Sequence, residues 1–248
     1  KLIKKLFLLT NKHILANTDY AIALTKYEQK VLEHYLTKEK IKIIPNGVNL
    51  SNYSNLNSLR GNLRKKLHLE DKEIILFVGR LQEIKGLDVL AHAFKLILKE
   101  VNDACLLIVG PDEGYLKPLE SILKSQGISS SVKFTGLLKG KKLLETLADA
   151  DVYTLTSYSE GLPLSVLEAA AAGLPCVISK GCNIPEVGTF EAGYVIDNIP
   201  EVISERIIKL LKNDNLRAAM GIQAREMIRK QFSWEIVIDK LEALTLKD

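Results

Sequence analysis

The sequence predicts an α/β protein built on a doubly wound parallel sheet. From Glu73 onward, short runs of β-branched and other apolar residues alternate with segments of helical periodicity. The runs lack the in/out alternation of a half-exposed strand, so helices must cover both faces of the sheet. Each run is also followed by a helix before the next run begins, which is the order that a parallel sheet requires.

The elements of this sheet follow one another closely. The expected strands and helices are 73–78, a helix to about 100, 105–109, a helix over 116–126, 132–136, a helix over 141–148, 151–156, a helix over 164–172, 175–179 and a helix over 202–212. Ligands of such sheets bind beyond the carboxyl ends of the strands. The loops after Val78, Val109, Thr135 and Thr156 are therefore expected to form a site.

The first 45 residues repeat this order on a smaller scale, with a helix to about Ala16, a strand over 19–24, a helix over 26–36 and a strand over 41–45. The turn at Pro45-Asn46-Gly47 and the polar stretch SNYSNLNS then indicate an interdomain linker. A last amphipathic helix, from Trp234 to about residue 246, is expected to pack away from the main sheet.

Composition and charge exclude several classes of protein. The chain of 248 residues is 47% hydrophobic and 26% charged, as in ordinary globular proteins. A net charge of +4 suits phosphate-bearing small molecules or an anionic membrane surface, and is too weak to indicate nucleic-acid binding. Cys105, Cys176 and Cys182 lack metal-ligand spacing and predict buried thiols in a reducing compartment.

The amino-terminal stretch KLIKKLFLLTNKHIL places lysines beside leucine and isoleucine. It fits either an interfacial membrane helix or, as we prefer, a helix whose apolar face packs on a sheet of the first domain. No apolar run approaches the roughly 20 residues of a membrane span. The stretch also lacks the cleavage site of a secretory signal, and we interpret the chain as an internal fragment.

Two glutamates lie in the block EGLPLSVLEAAAAGLPCV, which begins at Glu160. Pro163 suits the first position of the helix that follows. Free amides around Gly161 and Leu162, at the helix N-terminus, favour an anion or sugar hydroxyls. Glu168 lies about one turn inside the helix, where it can accept two hydrogen bonds from ribose hydroxyls but would repel phosphate. Taken alone, such a pair is more often a solvated helix glutamate with a capping loop.

A second block, VGRLQEIKGLDVL, follows the first strand of the main sheet. Gly79 lets the backbone approach a ligand, and Arg80 and Lys85 place two cations above the crevice. Together these cations could hold a diphosphate and stabilise its charge as a leaving group. For this block alone, surface residues beside a turn are the more frequent explanation.

The two blocks in this order closely resemble glycosyltransferase family 4, the retaining group 1 glycosyltransferases. Three further segments contribute to the resemblance, which covers nearly the whole chain: IPNGVN at 44–49, VGPDEG at 109–114 and FTGLL at 134–138. It implies a GT-B fold with two Rossmann-like domains. Residues 1–45 would be the end of the N-terminal, acceptor-binding domain, 46–58 a linker, 59–230 the donor-binding domain and 231–248 a helix that crosses back onto the first domain.

The resemblance also implies the roles of individual residues. The implied catalytic residues are Arg80, Lys85 and Glu160. The implied donor-binding set is Gly79, Arg80, Lys85, Gly136, Leu137, Glu160, Gly161, Leu162, Pro163 and Glu168. In this set the two cations bind the donor diphosphate, Glu168 the ribose and Glu160 the transferred sugar. The backbone of 161–163 lines the sugar and phosphate pocket, and the loop at 136–137 touches the nucleobase.

Members of this family look independent of metal ions, and the sequence has no Asp-x-Asp pair at a strand end. Arg80 and Lys85 would do the electrostatic work of a cation, so we expect no cofactor and no metal site. The donor would be a nucleoside-diphosphate sugar such as a UDP- or GDP-sugar. Because Glu160 is better placed for hydroxyls than for nucleophilic attack, we favour same-face attack assisted by the leaving phosphate over a double displacement.

Two departures from the family pattern affect these expectations. The turn Gly-Gly-Ile-Pro-Glu of many members is replaced by GCNIPE at 181–186, which puts the contacts of this loop in doubt. The family's glycine-rich loop and acceptor-side histidine are absent, since none of His13, His34, His68 and His92 has a matching context. We therefore expect the chain alone to bind nucleotide but to turn over poorly or not at all.

The expected function is sugar transfer to a hydroxyl of a glycan or lipid-linked acceptor, in surface polysaccharide or glycolipid assembly. It would take place in the cytoplasm, with peripheral association at the inner membrane face where the acceptor is lipid-linked. The alternatives are a nucleotide-sugar epimerase of the same scaffold and a non-catalytic nucleotide-binding module. A dinucleotide oxidoreductase is disfavoured because no Gly-x-Gly-x-x-Gly follows any expected strand.

Overall fold

A computed structural model describes residues 17–245 of the chain. The helix expected up to Ala16, and with it His13, lies outside the described residues. The strands of the described part are β1 Ala21–Ala23, β2 Ile41–Ile43, β3 Glu73–Val78, β4 Ala104–Val109, β5 Val132–Gly136, β6 Val152–Leu155, β7 Cys176–Ser179 and β8 Gly193–Ile196.

The α-helices of the same part are α1 Lys26–Leu32, α2 Asn62–Leu67, α3 Leu87–Glu100, α4 Leu116–Gln126, α5 Lys141–Asp149, α6 Leu164–Ala172, α7 Glu186–Thr189, α8 Pro200–Leu211, α9 Asp214–Met227 and α10 Trp234–Thr245. A turn of π-helix, Ile228–Phe232, continues α9. No helix within residues 17–245 combines the length and apolar character that a bilayer crossing requires.

Six parallel strands form the main sheet in the order β5-β4-β3-β6-β7-β8. The expected α/β class with a doubly wound parallel sheet is confirmed. Strand β4 is buried along its whole length and the interior of β3 is fully buried, because helices cover both faces. The chain builds outward from β3 to β5 and then returns to place β6 on the other side of β3. This reversal between β3 and β6 opens a crevice at their carboxyl ends.

Several elements were not expected from the sequence, among them α7, α9 and the two that follow. Strand β8 extends the sheet beyond β7, and the short helix α2 precedes β3. The first turn of α2 is capped from far along the chain, because the Asp149 carboxylate accepts hydrogen bonds from the backbone N–H groups of Gly61, Leu63 and Arg64. Such a cap satisfies amides that the helix itself cannot satisfy.

The two parallel strands β1 and β2 form a separate small sheet, which α1 covers. The stretch expected as a polar linker is not extended. It forms 3₁₀ turns at Leu50–Tyr53 and Leu56–Leu59, and their side chains Tyr53 and Leu56 are buried against the main core.

The chain crosses between the two sheets in two adjacent places. Val48 N–H donates to Phe232 O over 2.7 Å, and Trp234 N–H donates to Val48 O over 3.3 Å. The Trp234 ring lies against Gly47, where a Cβ would stand 2.6 Å from ring atom Cδ2. Helix α10 then runs beside the small sheet, since Lys240 lines the same crevice as Leu24.

Candidate functional site

The loops that follow β3 and β6 meet at the reversal point of the sheet. Lys85 Nζ lies 2.5 Å from Glu160 Oε1, although the two residues are 75 positions apart in sequence. Their side chains are only 12% and 13% exposed. The two sequence blocks predicted to carry the chemistry are therefore joined by a direct, largely buried ion pair.

Lys85 is held in place through its backbone. It ends a 3₁₀ turn, and Gly86 follows with φ +62°. A Cβ on Gly86 would lie 2.1 Å from Thr156 O, so the close approach of the two loops requires glycine. The Thr156 hydroxyl donates to the carbonyl oxygens of both Lys85 and Gly86, at 3.2 and 2.9 Å.

Glu160 is fixed at its side chain and at both backbone groups. Ser157 Oγ donates to Glu160 Oε1 over 2.5 Å, the same oxygen that Lys85 contacts. Glu160 N–H donates to Gly181 O over 2.8 Å, and Asn183 Nδ2 donates to Glu160 O over 2.7 Å. The segment that departs from the family turn thus supports Glu160 with a backbone carbonyl and an asparagine side chain.

The Arg80 side chain contacts the loop that follows β4. Its Nη1 lies 3.2 Å from Glu113 Oε2, and Gln82 Nε2 donates to the same oxygen over 2.6 Å. The Arg80 side chain is 58% exposed, so the contact with Glu113 is a solvent-screened surface pair. Arg80 can leave it at little cost to contact a ligand.

Backbone atoms form the floor of the crevice beyond β3, β4 and β5. Gly79 N–H donates to Val109 O, and Gly110 N–H donates to Gly136 O, each over 2.9 Å. A Cβ on Gly110 would stand 1.8 Å from Gly79 O. Leu137 follows Gly136 and is 56% exposed. This bare edge suits a flat, apolar ring.

Glu168 lies on α6 beside the linker residue Tyr53. It has no hydrogen-bond or ion-pair partner within residues 17–245. Burial raises the pKa of Glu168, because the charged form loses its hydration. The pKa of Tyr53 is raised by burial and then by the charge of Glu168. Glu168 is therefore a half-buried acceptor that lacks a protein donor.

Helix α6 spans Leu164–Ala172, the range that the sequence predicts. Pro163 is its N-cap, with an extended ψ of 109°, so the placement of Pro163 at the first helical position is wrong. No side chain caps the helix, and Leu162 is buried. At Gly161 a Cβ would stand 3.0 Å from Glu28 Oε1, so α1 of the small sheet reaches this loop.

Sequence reasoning missed the polar partners of the predicted residues. Ser157 and Asn183 hold Glu160, and Glu113 holds Arg80. Glu113 and Asn183 lie in the segments VGPDEG and GCNIPE, but nothing in the sequence assigns these three side chains to their partners. Their positions depend on the course of the loops.

The histidines of the described part lie outside the site, and the cysteines are buried beneath the surface of the sheet. His34 and His92 are exposed, and His68 ends α2 in a left-handed conformation. All three cysteines are free and buried, as expected. Burial raises the pKa of Cys105 and that of Cys182 to about 11 and also raises that of Cys176, which disfavours the reactive thiolate. Within residues 17–245, no cluster of histidine, cysteine and carboxylate side chains is arranged to hold a metal ion.

The profile of the family Glycosyl transferases group 1 matches residues 60–227 of the chain. This chain belongs to that family. An uncharacterised glycosyltransferase of Methanocaldococcus jannaschii is 30% identical over 230 residues, which cover 90% of the chain and 57% of that relative. The GDP-mannose-dependent monoacylated alpha-(1-6)-phosphatidylinositol monomannoside mannosyltransferase of Corynebacterium glutamicum is 34% identical over 189 residues, 72% of the chain and 48% of the relative. The group 1 glycosyltransferase chain thus spans about half the length of these relatives.

Solved structures show the same GT-B architecture. Sucrose-phosphate synthase of Thermosynechococcus elongatus superposes with a TM-score of 0.82 at 25% identity, over 96% of this chain and 60% of that one. HepE of Anabaena, in complex with UDP and glucose, superposes with a TM-score of 0.84 at 20% identity, over 95% of this chain and 67% of that one. The fold of the main sheet is therefore the one expected for a member of the group 1 glycosyltransferases.

Proposed function

We propose that this group 1 glycosyltransferase transfers a sugar from a nucleoside-diphosphate sugar to a hydroxyl acceptor with retention of configuration, as in glycosyltransferase family 4. The observation that carries the proposal is the Lys85–Glu160 ion pair at the reversal point of the sheet. It places a cation for phosphate and a carboxylate for sugar hydroxyls side by side in the crevice where such sheets bind ligands.

Each part of the donor has a matching group in this arrangement. Lys85 keeps two of its three N–H donors for the diphosphate, and Arg80 swings from Glu113 to join it. The partnerless Glu168 accepts hydrogen bonds from the ribose hydroxyls. The backbone edge at Gly79 and Gly136, with Leu137 beyond it, receives the base.

Arg80 and Lys85 supply the positive charge that the departing diphosphate needs, so the proposed reaction runs without a metal ion or other cofactor. The acceptor attacks from the face of the leaving phosphate, with the phosphate assisting. Glu160 forms no covalent bond to the sugar in this scheme, because Lys85 and Ser157 hold its Oε1 and Oε2 accepts a hydrogen bond from a sugar hydroxyl. Mass spectrometric trapping of a sugar covalently attached to Glu160 would contradict this route.

We further propose that the acceptor is a glycan or lipid-linked hydroxyl in surface polysaccharide or glycolipid assembly. A relative from Corynebacterium glutamicum is described as acting on a phosphatidylinositol mannoside, which supports a lipid-linked acceptor. The reaction would take place in the cytoplasm, at the inner membrane face for such an acceptor. We also propose that the domain boundaries lie at residues 45, 58 and 230. Residues 1–248 alone are expected to have low activity.

Calorimetric titration with UDP, GDP and ADP, with and without magnesium, tests the donor site. We expect one nucleotide to bind independently of magnesium, and we expect Arg80→Ala and Glu168→Ala each to weaken it about 10-fold or more, as loss of a charge-assisted hydrogen bond predicts. Arg229→Ala is the matched control, because Arg229 is also an exposed arginine paired with a carboxylate, that of Glu226.

Equal weakening by Arg229→Ala would mean that net charge rather than the site governs binding. Failure of all three nucleotides to bind at millimolar concentration, to the chain and to the protein expressed from its complete gene, would refute the donor site. Conversion of the sugar nucleotide into its epimer, without transfer to any acceptor, would point to the epimerase. Binding without any turnover would point to the non-catalytic module.

A further inference from the structure

The two carboxylate oxygens of Glu160 have different surroundings. Oε1 receives both the Lys85 ammonium and the Ser157 hydroxyl, each at 2.5 Å. Oε2 has no hydrogen-bond partner in the part of the chain that the structure describes. One oxygen is thus anchored and the other is left for a ligand.

Ser157 is placed rigidly for this contact. It is fully buried, and its carbonyl oxygen accepts a hydrogen bond from Ser179 Oγ over 2.5 Å. A Cβ on Gly181 would stand 2.4 Å from the same carbonyl, so the neighbouring backbone leaves no room for movement. Ser157 also directly follows Thr156, which holds the backbone of Lys85.

The two anchors of Oε1 differ in kind. Lys85 is a flexible chain ending in a point charge, and a bound diphosphate would compete with Glu160 for it. The Ser157 hydroxyl has no such competitor. When a donor is bound, the Ser157 hydroxyl therefore keeps Oε1 in place. It prevents the Glu160 carboxylate from rotating until both of its oxygens contact the Lys85 ammonium.

We infer that Ser157 is a positioning residue for the transferred sugar. It fixes the carboxylate of Glu160 so that Oε2 faces a hydroxyl of that sugar, and this inference rests on the proposed function. The substrate class that follows is a donor sugar with a free hydroxyl opposite Oε2. A nucleoside diphosphate without a sugar does not reach Oε2 and is not affected.

Titration of Ser157→Ala with matched pairs of ligands tests the inference. The probes are UDP and UDP-glucose, and GDP and GDP-mannose. We expect the nucleoside diphosphate to bind within roughly twofold of the parent and the sugar nucleotide to bind about 10-fold more weakly, as for loss of a hydrogen bond to a charged group. In the protein expressed from its complete gene, kcat for sugar transfer should fall as well.

Two further variants separate positioning from folding. Ser157→Cys keeps a weak donor in a similar volume and should give an intermediate loss, and it decides the matter if the alanine variant does not fold. Ser204→Ala also removes a buried serine hydroxyl, one that donates to Glu201 O on α8, and should leave both ligands unaffected.

The result that overturns the inference is equal loss for the nucleoside diphosphate and its sugar nucleotide, which would mean general damage to the loop. Unchanged binding and kcat in both Ser157 variants would overturn it too. If the parent protein binds none of the four probes and does not bind ADP either, the proposed function itself fails and this inference fails with it.

Discussion

Replacing Glu168 by glutamine is expected to stabilise the protein and to weaken nucleotide binding at the same time. The carboxylate is half-buried without a partner, and burial raises its pKa. A pKa raised in the folded state means that the folded protein binds this proton more tightly than the unfolded chain does. Ionised Glu168 therefore costs stability at every pH above the raised pKa.

The magnitude follows from linkage. Each unit by which the folded pKa exceeds the unfolded pKa costs about 1.4 kcal/mol at neutral pH. A glutamine of nearly the same shape carries no such cost, so we expect a gain within the roughly 0.5–2 kcal/mol that stabilising substitutions commonly give, and a rise in Tm of about 2–4 °C for each kcal/mol gained. The gain should disappear as the pH falls through the raised pKa toward the ordinary glutamate range, since the carboxyl is then protonated in both states.

The same substitution should weaken nucleotide binding by about 10- to 100-fold, because a neutral amide oxygen accepts the ribose hydrogen bonds less strongly than a carboxylate. For the parent protein, affinity should fall as the pH drops through the raised pKa of Glu168, and the glutamine variant should show a flatter profile. Calorimetric titration and thermal unfolding at neutral and mildly acidic pH measure both effects.

Glu160→Gln is the matched contrast, since the Glu160 carboxylate already has a buried cation beside it. Removing that charge leaves Lys85 without its counter-ion and should lower stability by about 1–3 kcal/mol. The reasoning is refuted if Glu168→Gln lowers Tm, or if the two substitutions change stability in the same direction.

Three other perturbations have expected outcomes. Gly47→Ala should displace the ring of Trp234, destabilise the protein by about 1–3 kcal/mol and shift the fluorescence of this single tryptophan; an unshifted spectrum would contradict the contact. Asp149→Ala should lower the free energy of unfolding, measured with denaturant, by about 3–5 kcal/mol, because three backbone N–H groups lose their acceptor. A loss below about 1 kcal/mol, as for a surface substitution, would show that water takes the place of the carboxylate. Glu113→Gln should tighten nucleotide binding by no more than about fivefold, with the gain vanishing at high salt, since it frees Arg80 from an exposed pair; a salt-independent gain would contradict this.

Much of the fold could be predicted because the buried strands are visible in the sequence as runs of apolar residues. Strand β3 and helix α6 were placed correctly to within one residue, since their sequences are long, regular and bounded by clear signals. Strand β8 was missed because its sequence, GYVI, begins with a glycine and its two central residues are only partly buried at the edge of the sheet, unlike the fully buried β6 and β7. Helix α2 was missed because its cap, Asp149, lies far along the chain, where no local signal can reveal it.

The candidate site was predictable to a similar degree. The sequence blocks indicated that Lys85 and Glu160 would approach the same crevice, and the structure brings them into contact. The pairing of Arg80 with Glu113 and the support from Ser157 could not be foreseen, because they depend on loop geometry rather than on residue type. The sequence indicated an interdomain linker over 46–58, but it could not show that Tyr53 is buried against the main core, because asparagine and serine surround this residue.

The paired crossings of the chain at Val48 and Ser233 limit how the small sheet can travel relative to the large one. Two neighbouring segments that are hydrogen bonded to each other form a hinge, which permits rotation of the small sheet but resists its translation. Residues near the hinge then move little, while residues far from it move over larger distances. The gap between Glu28 and Gly161 would therefore register the swing, and a pair of spectroscopic labels on α1 and α4 would follow it.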